Sequence, residues 1–479
     1  MSRSIVVNPN LVEMEYAVRG PIPQRAAALR RQGRATIPCN IGNPQALGQP
    51  PLTFYRQILC LVEEPSRIAR DRKLKALAAQ SPSVLGEIDA GAFPSDDVLD
   101  LSEAILSKME TGTGAYTESR GPLFIREAIA RYIDRRDCVP DSVGVRSGPD
   151  SIFLTNGASE GARRVLELLI ADGRDGVMIP IPQYPLYSAT VRKCGGVQVS
   201  YYPNEDAGWT LERSEMERAL TEARRDGVCV KAIVVINPGN PTGAILSEES
   251  VEDVVRFAAE HDLAILADEV YQDNLYGGTF VSFARALGGR PVPLFSLHST
   301  SKGFCGECGH RGGYLEVRNP PAVRDRGISV SDVLLKQASV SLCANTIGQI
   351  LTYLMVCPPA AGTETLARFE RERDAILDAL HEKAVLIRGA FEEMEGVRCF
   401  GRIGAMYLFP RLDRLPAGTN DFDYCMNLLE TTGLCTVNGA GFGQRAGTHH
   451  LRIAFLPPKE LLAEVLPRWI AFHRRYVAG

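Results

Sequence analysis

The sequence predicts an α/β fold, with a large domain built on a mostly parallel sheet flanked by helices and a smaller α+β domain. Between about residues 150 and 320, short apolar segments typical of strands alternate with segments of helical periodicity. After about residue 365 the pattern changes to one long helix, short strands and two further helices. Polar and glycine-rich clusters directly follow the predicted strands, as expected at the ligand-binding edge of an open parallel sheet.

The large sheet is predicted to be of the seven-stranded type, and six of its strands can be located: 151–155, 176–180, 198–202, 231–236, 263–267 and 294–298. Helical periodicity marks the main helices: 123–136, 162–171, 247–261, 364–394, 421–431 and 459–476. The smaller domain adds strands at 396–400, 405–409 and 451–455. We therefore divide the chain into an N-terminal arm (1–50), a small domain (51–106 with 346–479) and a large domain (107–345).

Composition argues against several classes of protein. The 479 residues include 53 basic and 57 acidic side chains, for a net charge of −4, so neither a nucleic acid nor a membrane surface is expected as a partner. No apolar run approaches the ~20 residues of a membrane helix, and the N-terminus lacks the features of a signal peptide. We expect a cytoplasmic protein, with a mitochondrial location not excluded.

The segment 296–314 carries the most unusual chemistry. Lys302 follows three hydroxyl side chains, residues 299–301, and Arg311 comes nine residues later among glycines. A lysine amine can form a Schiff base with a carbonyl cofactor. Hydroxyls, glycine amides and a guanidinium can hold a phosphate. Together they suggest pyridoxal phosphate (PLP), which would make residues 107–345 the PLP-binding domain, although Lys302 alone also fits an ordinary lysine in a polar loop.

Other strand ends supply what PLP chemistry needs. Asp268 closes a buried strand and could keep a pyridine nitrogen protonated. Tyr271 and Asn240 could donate hydrogen bonds to the phenolic oxygen, and Tyr184 could stack on the ring. Each of these residues could alone be a turn or core residue. Five polar clusters after five strands are harder to explain as ordinary turns.

Other residues could bind a phosphate or a substrate carboxylate. Ala158 and Ser159 lie between a strand and a helix, where backbone N–H groups point toward an anion, and Ser299 adds a hydroxyl. Arg452 lies in an apolar strand, where it could face solvent or grip an α-carboxylate by two hydrogen bonds. Gly42 could allow a close backbone approach to the same carboxylate.

Five motifs together resemble a known family over nearly the whole chain: residues 8–22, 113–121, Asn237-Pro-Gly-Asn-Pro-Thr-Gly243, Ala267-Asp-Glu-Val-Tyr271 and 298–314. The sequence resembles the fold-type I PLP-dependent aminotransferases and, within them, the alanine aminotransferase branch. Gly303-Phe-Cys-Gly-Glu-Cys-Gly-His-Arg-Gly-Gly313 and the N-terminal block are the motifs most specific to that branch.

The resemblance implies a homodimer in amino-acid metabolism that transfers the amino group of L-alanine to 2-oxoglutarate, by a ping-pong reaction through a lysine Schiff base. Lys302, Asp268 and Tyr271 would be catalytic. The residues implied to bind the cofactor are Lys302, Ala158, Ser159, Tyr184, Asn240, Asp268, Tyr271, Ser299, Arg311 and Tyr116, the last often across the dimer interface. The residues implied to bind substrate are Arg452, Gly42 and Asn240, with Arg19 a candidate for the distal carboxylate.

Several alternatives remain open at this stage. The same fold could serve glutamate:glyoxylate transamination, another amino-acid specificity or a lyase reaction. A non-enzymatic regulator would need an appended DNA-binding domain, and residues 1–50 contain no helix-turn-helix or basic patch. Cys305-Gly-Glu-Cys308 resembles half of a zinc site, but two further ligands at recognisable spacing are not evident, so no metal is expected.

Overall fold

A computed structural model describes residues 5–14, 20–80, 93–139 and 146–479. Its helices are α1 (Pro9–Val12), α2 (Pro21–Arg31), α3 (Thr53–Glu63), α4 (Ser66–Gln80), α5 (Asp96–Lys108), α6 (Leu123–Arg136), α7 (Ala158–Leu169), α8 (Leu186–Cys194), α9 (Arg213–Arg225), α10 (Glu248–Glu260), α11 (Phe283–Leu287), α12 (Val330–Val340), α13 (Thr346–Val356), α14 (Glu364–Glu392), α15 (Asp421–Thr432) and α16 (Lys459–Ala478). Within the described ranges, none of these helices is long and apolar enough to cross a membrane.

The strands are mostly short outside the large sheet. They are β1 (Ile37–Pro38), β2 (Ile152–Leu154), β3 (Asp175–Pro180), β4 (Val197–Tyr201), β5 (Cys229–Ile236), β6 (Ala264–Asp268), β7 (Leu294–Ser299), β8 (Gly313–Arg318), β9 (Val397–Arg398), β10 (Tyr407–Leu408), β11 (Arg411–Leu412), β12 (Leu434–Cys435), β13 (Val437–Asn438) and β14 (Leu451–Ala454).

The large sheet has seven strands in the order β2-β8-β7-β6-β5-β3-β4. Strands β3 to β7 pair in parallel, whereas β8 is antiparallel to both of its neighbours. The predicted fold class, a mostly parallel sheet flanked by helices, is therefore confirmed. The seventh strand, β8, was missed because it begins inside the glycine-rich segment 303–313, where composition favours a loop.

Helices cover both faces of this sheet because its central strands are apolar on both sides. Ile233 and Val235 of β5 pack with α9, α10 and α11, whereas Val234 and Ile236 pack on the other face with α7, α8 and α12. Successive side chains of a strand point to opposite faces, so a continuous apolar run is buried only when both faces are covered. This double burial holds the strand ends, and the loops that follow them, in fixed positions.

The C-terminal third forms short sheets packed by long helices. Strands β10, β14 and β13 make one three-stranded sheet, and β9 pairs with β11. Helix α14 packs on α16, with the rings of Phe391 and Trp469 5.5 Å apart at 86°. The predicted strands at 396–400 and 405–409 shorten to two residues each. The division into arm, small and large domains remains a prediction.

The N-terminal arm lies on this C-terminal third. Helix α2 buries Ile22, Ala26 and Leu29, and β1 pairs in parallel with β12. This pairing carries the chain from Ile37 toward Gly42, and so brings an N-terminal segment to the edge of the large sheet where the strands end.

Candidate active site

One cavity of about 270 Å³ lies at the carboxyl ends of the parallel strands. Eleven of the twelve site residues predicted from the sequence line it, namely Gly42, Ala158, Ser159, Tyr184, Asn240, Asp268, Tyr271, Ser299, Lys302, Arg311 and Arg452. They come from loops separated by as much as 410 residues (42 to 452) of the chain. Parallel pairing gathers them because all carboxyl ends of parallel strands reach the same sheet edge.

Lys302 follows β7 and reaches into the cavity. Its Nζ donates a hydrogen bond to the carbonyl oxygen of Gly42 at 2.8 Å and lies 5.7 Å from the centroid of the Tyr271 ring. Burial disfavours the charged amine, but nearby groups, the Tyr407 phenol foremost, outweigh it and raise the pKa of Lys302. The backbone of Gly42 therefore holds the amine in place, a contact that the sequence did not predict.

Asp268, the last residue of β6, is buried at the cavity wall. Its Oδ2 accepts a hydrogen bond from the Tyr187 hydroxyl at 2.6 Å, and its Oδ1 accepts one from the Val270 N–H at 3.4 Å. Burial raises the pKa of Asp268, and the hydrogen bond from Tyr187 opposes that rise. A cationic group in the cavity would stabilise this carboxylate as an anion.

Tyr187 is a residue that sequence reasoning missed. It lies in the first turn of α8, has no exposed surface, and orients the Asp268 carboxylate. The only signal was its position at a helix start, three residues after Tyr184. That spacing is equally typical of core aromatics, so the sequence alone could not assign it.

A cradle of hydrogen-bond donors forms where α7 begins. Gly157 precedes the helix with a φ of 79°, and none of the described side chains caps this terminus, so the N–H groups of Ala158 and Ser159 can bind an anion. Arg311 donates to the Asn156 carbonyl at 2.9 Å and to the Ser159 hydroxyl at 3.3 Å. A Cβ at position 157 would lie 2.6 Å from the Arg311 Nη2, and the positive φ of this residue favours glycine.

Ser299 completes the same region from the end of β7. Its hydroxyl donates to the Gly312 carbonyl at 3.1 Å and accepts from the Ser301 N–H at 3.1 Å. Hydroxyl groups, amides and a guanidinium that line one cavity are the donors typical of phosphate sites.

Asn240 and Tyr271 lie side by side, as expected if both bind one oxygen atom. The Asn240 Nδ2 donates to the Tyr271 hydroxyl at 3.3 Å, and burial raises the pKa of Tyr271 well above its ordinary value. The Tyr271 hydroxyl in turn donates to the Tyr407 hydroxyl at 3.4 Å. The two phenols and the amide thus form a short chain along the cavity wall.

Arg452 is buried, with 1% of its surface exposed, although it is a charged residue in strand β14. Its Nη1 donates to Asn240 Oδ1 at 3.1 Å and its Nη2 to the Asn40 carbonyl at 2.6 Å. Its Nε has no hydrogen-bond partner among the described residues. Buried donors are almost always satisfied, so this free N–H in a cavity wall fits an anionic ligand.

Two aromatic residues that the sequence did not single out lie against this guanidinium. The Cζ of Arg452 is 4.3 Å from the ring centroid of Tyr407 and 4.7 Å from that of Phe442. Tyr407 was part of a predicted apolar strand, where an aromatic residue is indistinguishable from the core. The charges of Lys302 and Arg452 lower the pKa of Tyr407 against the opposing effect of burial.

Tyr116 is the one predicted site residue that lies outside the cavity. It is 75% exposed in the loop before α6. Arg19, the candidate for a distal carboxylate, lies outside the described residues. The two thiols of the Cys-x-x-Cys segment have different surroundings, because Cys305 contacts the Tyr55 hydroxyl at 3.5 Å and Cys308 donates to the Ser301 carbonyl at 3.3 Å.

Comparison with known proteins agrees with this arrangement. The model of the family "Aminotransferase class I and II" matches residues 87–468. The chain is 43% identical to human alanine aminotransferase 1 over 98% of this chain and 94% of that one. It is 38% identical to glutamate–glyoxylate aminotransferase 1 of Arabidopsis thaliana, over 98% and 95% of the two chains. The family predicted from the sequence is thereby confirmed.

The fold agrees as well. An alanine aminotransferase from Pyrococcus furiosus superimposes with a TM-score of 0.76 at 24% identity, covering 98% of this chain and all of that one. This likeness confirms the fold-type I arrangement, whose members generally depend on PLP and act on amino acids and 2-oxo acids. The family model and the 43% identical human relative confirm the predicted amino-group transfer, and the chain belongs to the class I and II aminotransferases.

Proposed function

We propose that this enzyme transfers the amino group of L-alanine to 2-oxoglutarate, forming pyruvate and L-glutamate, with PLP bound at Lys302. The observation that carries the proposal is a single cavity lined by Lys302, Asp268, Arg311 and Arg452. The 43% identity to human alanine aminotransferase 1 supports this choice of substrates.

The residues present fit PLP. The uncapped start of α7 and Arg311 suit its phosphate, and Asp268 suits a protonated ring nitrogen. The remaining proposed contacts are Ala158, Ser159 and Ser299 at the phosphate, Asn240 and Tyr271 at the phenolic oxygen, and Tyr184 against the ring. Bound PLP supplies an electron-accepting ring that stabilises the negative charge left when an amino acid loses its α-proton.

The chain's own residues transfer the proton and bind the substrate carboxylate. Nζ of Lys302 would hold the cofactor and, as a free amine, would take the α-proton of the substrate and give it back. The Gly42 carbonyl accepts a hydrogen bond from this amine and so limits where Nζ can move. Nε of Arg452 and a neighbouring guanidinium N–H bind the α-carboxylate that every amino-acid substrate carries.

Both substrates use the same amine and the same guanidinium, so they bind in turn. The first amino acid leaves as its 2-oxo acid before the second 2-oxo acid enters, which is the ping-pong order. The buried surroundings of Arg452 favour its use in both halves of the reaction, because in each half an α-carboxylate satisfies its unpaired Nε–H donor.

We also propose that the enzyme is a homodimer in which Tyr116 reaches the cavity of the second copy. The support is that Tyr116 is 75% exposed and lies outside the cavity of its own chain. The N-terminal arm also presents exposed apolar side chains, among them Ile5, Val6 and Leu11. Exposed apolar groups of this kind are typical of surfaces that a partner covers.

Glutamate:glyoxylate transamination is the second candidate, favoured by the 38% identity to the Arabidopsis enzyme. The cavity described here suits both reactions, because their substrates share the α-carboxylate and the amino group. The two candidate reactions differ only in the parts of their substrates beyond the α-carboxylate and the amino group.

A substrate panel tests the choice. We expect kcat/KM for the alanine/2-oxoglutarate pair to exceed that for the glutamate/glyoxylate pair by at least about tenfold, a difference of about 1.4 kcal/mol in transition-state binding. Initial rates of the purified enzyme with each donor and acceptor provide the measurement. A preference for glyoxylate over 2-oxoglutarate would overturn the alanine assignment.

Lys302→Ala should abolish the absorbance band of lysine-bound cofactor and lower turnover by about a thousandfold or more, because the chain loses its attachment point and its acid/base. Absorption spectra and initial rates check this. Lys459→Ala is the matched control, since Lys459 is an exposed lysine that pairs with Glu382 outside the cavity. Normal turnover in Lys302→Ala would contradict the proposed role.

Arg452→Lys should raise KM for alanine by about thirtyfold or more while the cofactor stays bound, because an ammonium cannot make the paired hydrogen bonds of a guanidinium. Steady-state kinetics and cofactor absorbance report the two quantities separately. Arg318→Lys is the control, as Arg318 is a buried arginine paired with Glu316 in the large sheet. An unchanged KM would remove Arg452 from the carboxylate site.

Subunit mixing tests Tyr116. Tyr116→Ala and Lys302→Ala should each be impaired alone. Dissociated and reassociated together, they should regain roughly a quarter of wild-type activity, because half of the randomly formed two-fold dimers are mixed and each of these has one complete site. Absence of recovery in verified mixed dimers would place Tyr116 in the cavity of its own chain.

A further inference from the structure

The guanidinium of Arg452 is bound along only part of its edge. Two of its nitrogens donate to Asn240 Oδ1 and to the Asn40 carbonyl, at 3.1 and 2.6 Å, while Nε is left free. A guanidinium has five N–H donors in a rigid plane, so its usefulness to a carboxylate depends on the orientation of that plane. Hydrogen bonds within the plane do not by themselves prevent the plane from tilting.

The aromatic rings supply the missing restraint. Tyr407 lies 4.3 Å and Phe442 4.7 Å from the Arg452 Cζ, distances at which a cation is attracted to an aromatic ring. Tyr407 starts β10, which pairs with β14 in the register Tyr407 to Ala454. The strand pairing therefore places the phenol ring beside Arg452.

Tyr407 is itself held from its other end. Its hydroxyl packs so closely on Gly42 that a Cβ at position 42 would lie 1.9 Å from that oxygen and 3.2 Å from the Lys302 Nζ. Its ring meets that of Tyr271 edge to face, with centroids 6.0 Å apart, and the two hydroxyls are 3.4 Å apart. Only 2% of the Tyr407 surface is exposed, so these contacts limit the movement of its side chain.

We propose that Tyr407 is a positioning residue for Arg452: its ring holds the guanidinium plane in the orientation that presents Nε to the substrate α-carboxylate. The proposal deepens the proposed function and rests on it for the role of Arg452. The ring carries the effect rather than the hydroxyl, because the hydroxyl contacts Tyr271 and Gly42 and makes no hydrogen bond to Arg452 among the described residues.

The role also explains the glycine at position 42. Any side chain there would collide with the Tyr407 hydroxyl and push the ring from its position. Gly42 then serves the carboxylate site indirectly, by leaving room for Tyr407, in addition to accepting the Lys302 hydrogen bond.

The test compares Tyr407→Leu, which removes the ring, with Tyr407→Phe, which retains it. Tyr407→Leu should raise KM for alanine and for glutamate by about tenfold and by the same factor, because both share the α-carboxylate. Tyr407→Phe should recover most of that loss. Tyr201→Phe is the matched control, since Tyr201 is a buried tyrosine whose hydroxyl donates to Val234, away from the cavity.

A readout independent of turnover uses propionate, which carries the carboxylate of alanine without its amine. Its dissociation constant from the cofactor-loaded enzyme, measured by calorimetry, should weaken about tenfold in Tyr407→Leu and stay near wild type in Tyr407→Phe. Cofactor absorbance and thermal unfolding confirm that each variant is folded and loaded. If Tyr407→Leu does not accumulate, Tyr407→Met removes the ring while filling more of the space.

Three outcomes would overturn the proposal. Equal losses in the Leu and Phe variants would assign the effect to the hydroxyl and overturn the proposal. A change in KM for glutamate alone would place Tyr407 at the distal carboxylate and also overturn it. Unchanged KM and propionate binding in a folded ring-less variant would do the same. If the proposed function itself were wrong, the wild-type enzyme would lack alanine turnover. Propionate binding would still report on the role of Tyr407 in that case.

Discussion

Parallel pairing of β5, β6 and β7 is the constraint on which the site depends. Because these strands run in one direction and are buried on both faces, their carboxyl ends are held at one edge of the sheet. Asp268 ends β6 and Lys302 follows β7, so the carboxylate and the amine proposed to be catalytic come from neighbouring strands. The donor cradle at the start of α7 lies beside the same edge.

The C-terminal third and the N-terminal arm close the cavity from the other side. Arg452 reaches Asn240 in the loop after β5 and the Asn40 carbonyl of the arm, while Lys302 reaches the carbonyl of Gly42. The carboxylate binding proposed for Arg452 would therefore depend on three separate regions of the chain packing correctly. Tyr407 links them, since its one side chain touches Gly42, Tyr271 and Arg452.

Some elements were predictable because their signals are local. The apolar runs of the central strands indicate strands, and the sustained helical periodicity of α14 and α16 indicates helices. These signals also give approximate positions, with predicted boundaries that differ from the observed ones by a few residues. Strand β8 was not predictable, because its pairing partner β7 lies across a glycine-rich loop that dominates the local composition. Tyr187 and Tyr407 were missed because a core aromatic and a site aromatic have the same local pattern.

By itself, the sequence determined the fold class and the family and predicted the residue types that carry the chemistry, because each rests on short motifs and on periodicity within single elements. The tertiary structure alone decided which groups touch. Hydrogen bonds such as Tyr187 to Asp268, and the packing of Tyr407 between Gly42 and Arg452, join residues 45 or more positions apart, and their geometry depends on how separate elements pack. Contacts between distant elements leave no periodic pattern in the amino-acid sequence.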